Sequence, residues 1–84
     1  MKPSPYSTDY AKLHSWMIQK RNEANLSLRE AARIMGRHHS VLGKMEQDRR
    51  KIEITEFINY CQTIGADPHE GLEVLIRSMD SNKN

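Results

Sequence analysis

A single cysteine in 84 residues, Cys61, leaves no partner for an internal disulfide and no CxxC pair to hold zinc. The remaining ligand-bearing side chains are equally sparse. His14 and His69 stand alone, and the neighbours His38 and His39 should diverge on a helix and chelate poorly. No metal, cofactor or small-molecule ligand is therefore expected. Apolar runs are short as well, nowhere near the roughly 20 residues of a membrane span, and Met1-Lys2-Pro3-Ser4-Pro5 is followed by no signal-peptide core. The expectation is a soluble protein in the reducing cytoplasm. Alternating Val/Ile/Thr segments are missing, which argues against strands, and no internal repeat is visible. There is no paired-acid pocket, phosphate loop or nucleophile–base arrangement, so an enzyme is not expected. The few aromatics, among them Tyr10, Trp16 and Phe57, fall at helical spacing as core residues rather than as a stacking platform for single strands. Cys61 reads as a small core residue.

What is present suits one small helical domain. A chain this short buries only about 60% of its unfolded surface, so its stability is marginal. Apolar residues make up 37% of it, and they are clustered periodically, unlike a disordered chain. Charge is divided between the two parts. Residues 1–51 hold eleven basic and five acidic residues, a net +6, whereas residues 52–84 hold two and six, a net −4. Such asymmetry fits one face for a polyanion and another that avoids it, although a short chain also becomes patchy by chance.

Residues 1–7 read as a loose arm, 8–79 as a single domain and 80–84 as a frayed tail. Ser7 or Thr8 is the expected cap of a first helix with Tyr10, Leu13, Met17 and Arg21 on one stripe, stopped at Asn25. Ser27 and Glu30 form a capping-box pattern that opens a second helix bearing Leu28, Ala31, Ala32 and Met35, closed by Gly36. Val41, Leu42 and Met45 mark a third. Two short helices joined through a glycine with so little linker must cross steeply, as in a helix-turn-helix. After a basic link, Thr55 is the expected cap of a fourth helix with Phe57, Ile58, Cys61 and Ile64, ended by Gly65. Asp67-Pro68 with Glu70 as reciprocal acid opens a fifth, with Leu72, Leu75, Ile76 and Met79 apolar. The predicted class is all-α, with five helices.

From Ser27 to Gln47 the chain resembles the lambda-repressor-like (Cro/repressor-type, XRE) helix-turn-helix family, and the likeness extends over roughly residues 10–76. Ala32 stands at the closest crossing of the two helices and Gly36 at the turn, where positive φ is cheap only for glycine. Leu42 and Met45 occupy the inward positions. Asn25-Leu26-Ser27, Lys44-Met45-Glu46-Gln47 and Ile64-Gly65-Ala66-Asp67-Pro68 match the segments that flank the motif and start the final helix. The chain departs from the pattern at Leu28, where a phosphate-binding glutamine is usual, and at Ala31, Arg37 and Asp48.

The resemblance implies a protein that binds double-stranded DNA, with its third helix in the major groove and the helix-turn-helix at about residues 27–47. The positions it assigns to base contact are His39, Ser40, Gly43 and Lys44. Lysine donates well to guanine, and serine serves several bases. Gly43 costs about 1 kcal/mol relative to alanine within a helix, explained either by close approach to a base pair or by packing. Phosphate contacts are expected from Arg37, His38, Gln47, Arg49, Arg50 and Lys51, although a basic loop is also a common solvated feature. Arg21 and Glu46 match a structural ion pair of the family, whose disruption costs about 3–5 kcal/mol where well buried. The function implied is that of a transcriptional regulator, a repressor bound as a homodimer to a palindromic operator. Leu72, Leu75, Ile76 and Met79 either form the dimer surface or close the monomer core. The alternative is an antitoxin-like or accessory module that uses the same fold to bind another protein.

Overall fold

The computed structural model describes residues 5–47 and 52–81, which form five helices: α1 (Pro5–Glu23), α2 (Leu28–Met35), α3 (His39–Gln47), α4 (Ile54–Ile64) and α5 (Pro68–Ser81). Helix α1 begins at Pro5, earlier than a Ser7 or Thr8 cap would allow. Proline supplies a pre-set helical φ at a position whose N–H has no intrahelical acceptor. Asn25 takes the left-handed conformation (φ 59°) and turns the chain away from α1. At the other end, α5 includes Asp80 and Ser81, which the sequence reading placed in the tail; the rest of that tail, 82–84, lies outside the described residues.

The start of α2 is a complete capping box. Ser27 Oγ accepts from the Glu30 N–H at 3.0 Å, and Glu30 Oε1 accepts from the Ser27 N–H at 2.8 Å. Gly36 (φ 73°) ends the helix, with its own N–H and that of Arg37 bonded back to carbonyls of the last turn. Two caps differ from the sequence reading. At α4, Glu53 is the cap, accepting from the Glu56 N–H at 3.2 Å, while the Thr55 hydroxyl donates to the Glu53 carboxylate. Ile54 is already helical, so Thr55 lies inside the first turn. At α5, Asp67 Oδ1 accepts from the His69 N–H at 2.9 Å, but Glu70 does not reach back; its carboxylate lies 3.6 Å from Lys20 Nζ on α1.

The core is built on α1 and α4. Leu13, Trp16 and Met17 meet Phe57, Tyr60, Cys61 and Ile64, with Ala31, Ala32 and Met35 closing one side and Leu42 anchoring α3. Tyr10 is half-buried at the rim of this cluster. His14 is buried, its ring tilted against Tyr10 at 6.1 Å. Helix α5 lies along α1 and buries fully only Gly71 and Ser78. Gly71 is the close-approach point: a Cβ there would sit 2.6 Å from Phe57 Cζ and 2.7 Å from Trp16 Cζ3. Its apolar residues divide, with Leu72, Val74 and Leu75 half-buried, and Ile76 and Met79 51% and 47% exposed.

Candidate nucleic-acid interface

Helix α3 is short, and its inner side is held by two residues one turn apart. Leu42 is fully buried in the core, and Glu46 is buried within a polar cluster. Arg21 Nε and Nη2 donate to the Glu46 carboxylate at 2.7 and 3.0 Å, and Nη1 donates to the Leu26 carbonyl at 3.0 Å. Tyr60, on α4, brings its hydroxyl within 2.6 Å of Glu46 Oε2 and 3.0 Å of the Met17 carbonyl. Its single proton serves the carboxylate best, as the shorter and charge-assisted bond. The Glu46 carboxylate raises the proton affinity of Arg21, and burial followed by the same carboxylate drives that of Tyr60 far above its ordinary value. Tyr60 was not singled out from the sequence, because nothing local marks a tyrosine 14 residues away as a partner of Glu46.

The start of α3 is fixed differently. His38 precedes the helix, and its Nδ1 accepts from the Ser40 N–H at 3.2 Å and lies 2.8 Å from Ser40 Oγ, so the imidazole caps α3. The His38 and His39 rings stack at 4.3 Å rather than diverging, because His38 is not itself helical. Partial desolvation, together with the positive charge of Arg29 and the neighbouring His38, pushes the proton affinity of His39 down. Arg29, on α2, thus stands close to the candidate reading surface without having been marked by the motif. Arg37, in the turn, directs the Nε/Nη2 edge of its guanidinium at Glu56 of α4, with Nη2 2.5 Å from Oε2 and Nε 3.1 Å from it.

The outward side of α3 exposes Ser40, Val41 and Lys44, with His39 half-exposed. Val41, one of the three apolar residues that mark the third helix in the sequence, is 43% exposed, because Leu42 and Glu46 occupy the inward direction and leave it beside Ser40. Among the described residues Lys44 makes no ion pair. Gly43 is half-buried under α2, and a Cβ added to it would meet only Leu28 Cδ2 at 3.6 Å, an ordinary contact. Neither a positive φ nor tight packing explains this glycine. The side chain of Gln47 and all of Arg49, Arg50 and Lys51 lie outside the described residues.

Cys61 is buried, and desolvation raises its thiol pKa to about 11, away from the thiolate form a nucleophile needs. No three His, Cys, Asp or Glu side chains group as metal ligands among the described residues. No helix among the described residues is long and apolar enough to cross a membrane.

No family sequence model and no curated protein matches the chain. Its fold, however, is similar to a solved structure, an "XRE-family like protein from Pseudomonas syringae pv. tomato str. DC3000". The two align with a TM-score of 0.74 and 30% identity, over 82% of this chain and 84% of that one. The chain belongs to the XRE family. As an XRE-family protein it has the fold of a DNA-binding regulator, not that of an enzyme family. Within that fold α2 and α3 are the helix-turn-helix.

Proposed function

We propose that this XRE protein is a sequence-specific transcriptional regulator that binds duplex DNA as a homodimer, acting as a repressor at a palindromic operator. The observation that carries the reading is the contrast between the two sides of α3. Leu42 and Glu46 lock one side into the core, while Ser40, Val41 and Lys44 stand exposed on the other. A helix fixed in this way presents a rigid row of side chains to the major groove. Lys44 matches guanine O6 and N7, Ser40 serves several bases, and Val41 offers an apolar surface to a thymine methyl. His39 completes the row. Gly43 leaves the groove wall free of a side chain at a place where the fold itself would accept one.

Phosphate contacts flanking the row come from His38, Gln47 and the basic segment Arg49, Arg50 and Lys51, with Arg29 a further candidate from α2. Each phosphate neutralised steepens the log–log salt dependence by about one unit. Arg37 is a weaker phosphate candidate, since its guanidinium already faces Glu56. Dimerisation is assigned to α5, where Ile76 and Met79 continue the half-buried Leu72 and Leu75 outward as one apolar strip. Two reading heads would then address half-sites about 34 Å apart.

A second reading, an antitoxin-like or accessory module that binds another protein, draws support from the exposed Ile34, Ile54 and Ile58 on α2 and α4. Selection of bound sequences from random duplex DNA separates the two. An enriched palindrome supports the regulator, and recovery of no preferred sequence by a folded protein favours the protein-binding module.

A further inference from the structure

Helix α4 reaches the last turn of the reading helix and, separately, the turn that precedes its first residue. Glu56 and Tyr60 stand one turn apart, and side chains spaced i and i+4 lie on one face of a helix. Tyr60 holds Glu46, in the last turn of α3, at 2.6 Å. Glu56 holds Arg37, two residues before α3 begins, through the Nε/Nη2 edge of its guanidinium. The backbone N–H of Arg37 is in turn bonded to the Ala32 carbonyl at 2.9 Å, so the turn is tied to α2 as well as to α4. Between these two fixtures lie all four positions proposed to meet bases.

From this we infer that Arg37 and Glu56 form a clamp that sets the approach of α3 to DNA, so that Glu56, on a helix that need not touch DNA, is a positioning residue for sequence reading. The inference rests on the DNA-binding reading above and deepens it. The physical argument concerns the degrees of freedom of a nine-residue helix. Burying Leu42 fixes where α3 sits, and the Glu46 cluster fixes its C-terminal end. At the N-terminal end, where bases are met, the His38 cap orders the first turn and the Arg37 N–H ties the preceding turn to α2. The Arg37–Glu56 pair adds a side-chain tie from that turn to α4. Glu56 is suited to the role, because its backbone N–H is bonded to the Glu53 cap, which anchors it within the first turn of α4. Arg37 is suited because a guanidinium edge fixes direction as well as distance.

A clamp and a phosphate ligand make opposite predictions for Glu56. If Arg37 served DNA directly, Glu56 would compete with phosphate, and removing its charge would tighten binding. If the pair is a clamp, removing either partner loosens the approach and weakens the reading of sequence.

The experiment compares wild type, Arg37→Gln, Glu56→Gln and the double variant. Binding is measured by fluorescence anisotropy to the duplex enriched by selection and to a random-sequence duplex of equal length. Amide hydrogen exchange is followed across His39–Leu42, and circular dichroism monitors folding. The clamp predicts that each single variant lowers the ratio of specific to random binding by about two- to fivefold, the range set by exposed ion pairs. The double variant should lose no more than the singles, and the first amides of α3 should exchange faster in all three. Tighter binding by Glu56→Gln with a steeper salt slope would overturn the clamp in favour of competition, and unchanged ratios and exchange rates would overturn it outright. If selection enriches no duplex, the DNA reading fails while the exchange measurement still decides the clamp.

Discussion

Gly71 and Gly43 are both helical glycines, and the contacts around them assign opposite reasons to them. At Gly71 a methyl group would enter the space between Phe57 and Trp16, where neither ring has a flexible end to withdraw. Gly71→Ala should therefore cost about 1–3 kcal/mol through overpacking, read as a lower urea midpoint with an unchanged slope. At Gly43 a methyl group meets only ordinary contact, so Gly43→Ala should stabilise the isolated protein by up to about 1 kcal/mol. The same variant should bind its DNA more weakly; a variant that gains stability and keeps full affinity would remove Gly43 from the interface. Tyr60→Phe deprives Glu46 of one buried partner, with an expected cost of about 1–3 kcal/mol on thermal or chemical unfolding. Alkaline pH tests the same interior. Burial raises Cys61 to about 11 and raises Tyr60 further, so both hold protons more tightly in the folded state. Their stabilising contribution is complete below the unfolded values, about 8.5 for cysteine and about 10 for tyrosine, and is lost as the pH climbs through the folded ones. Urea midpoints should be level from pH 7 to 8 and fall above pH 9, and Cys61→Ala should flatten the first part of that fall.

Helices differ in how plainly the chain announces them. The α2 boundaries were legible because their signals are local: Ser27 and Glu30 are three residues apart, and Gly36 needs only its own φ. Asn25, Gly65 and Asp67-Pro68 belong to the same kind. The start of α1 was misplaced because Pro5 and the Ser7/Thr8 pair are both good helix openers, and nothing local ranks them. The α4 cap was misplaced by two residues for a similar reason, a glutamate there doing the work expected of Thr55. What local signals cannot carry are partnerships across the fold. Tyr60 with Glu46, Arg37 with Glu56 and Gly71 with Phe57 and Trp16 join residues 14 or more positions apart, or depend on a crossing known only in three dimensions. The Arg21–Glu46 pair, 25 positions apart, was anticipated only through family resemblance. Helix α5 shows the limit of periodicity. Its four apolar residues share a stripe in sequence, yet Leu72 and Leu75 turn inward by half while Ile76 and Met79 remain exposed. That division makes the dimer proposal testable at the element scale. Ile76→Lys should leave the circular dichroism spectrum and thermal unfolding of the monomer nearly unchanged while shifting sedimentation from dimer to monomer. Unaltered sedimentation would take α5 out of the interface.

At the scale of the whole molecule, the division of charge between residues 1–51 and 52–84 follows the division of tasks. The helix-turn-helix lies within the basic part, and residues 52–84 carry six of the eleven acids, some of them paired back to bases, as Glu56 is to Arg37 and Glu70 to Lys20. On the proposed reading, the acidic part braces the helix-turn-helix and the basic part is the one that meets DNA. XRE membership fixes the type of fold; the exposed row Ser40, Val41 and Lys44 is what gives this chain its own sequence preference on the account proposed here. The most direct measurement is selection from random duplex DNA with the wild-type protein and with Lys44→Ala, both verified as folded. The account predicts an enriched palindrome for wild type and, for the variant, loss of information at defined symmetric positions with the rest of the motif retained. An identical motif from both proteins, or no motif from the wild type, would contradict it.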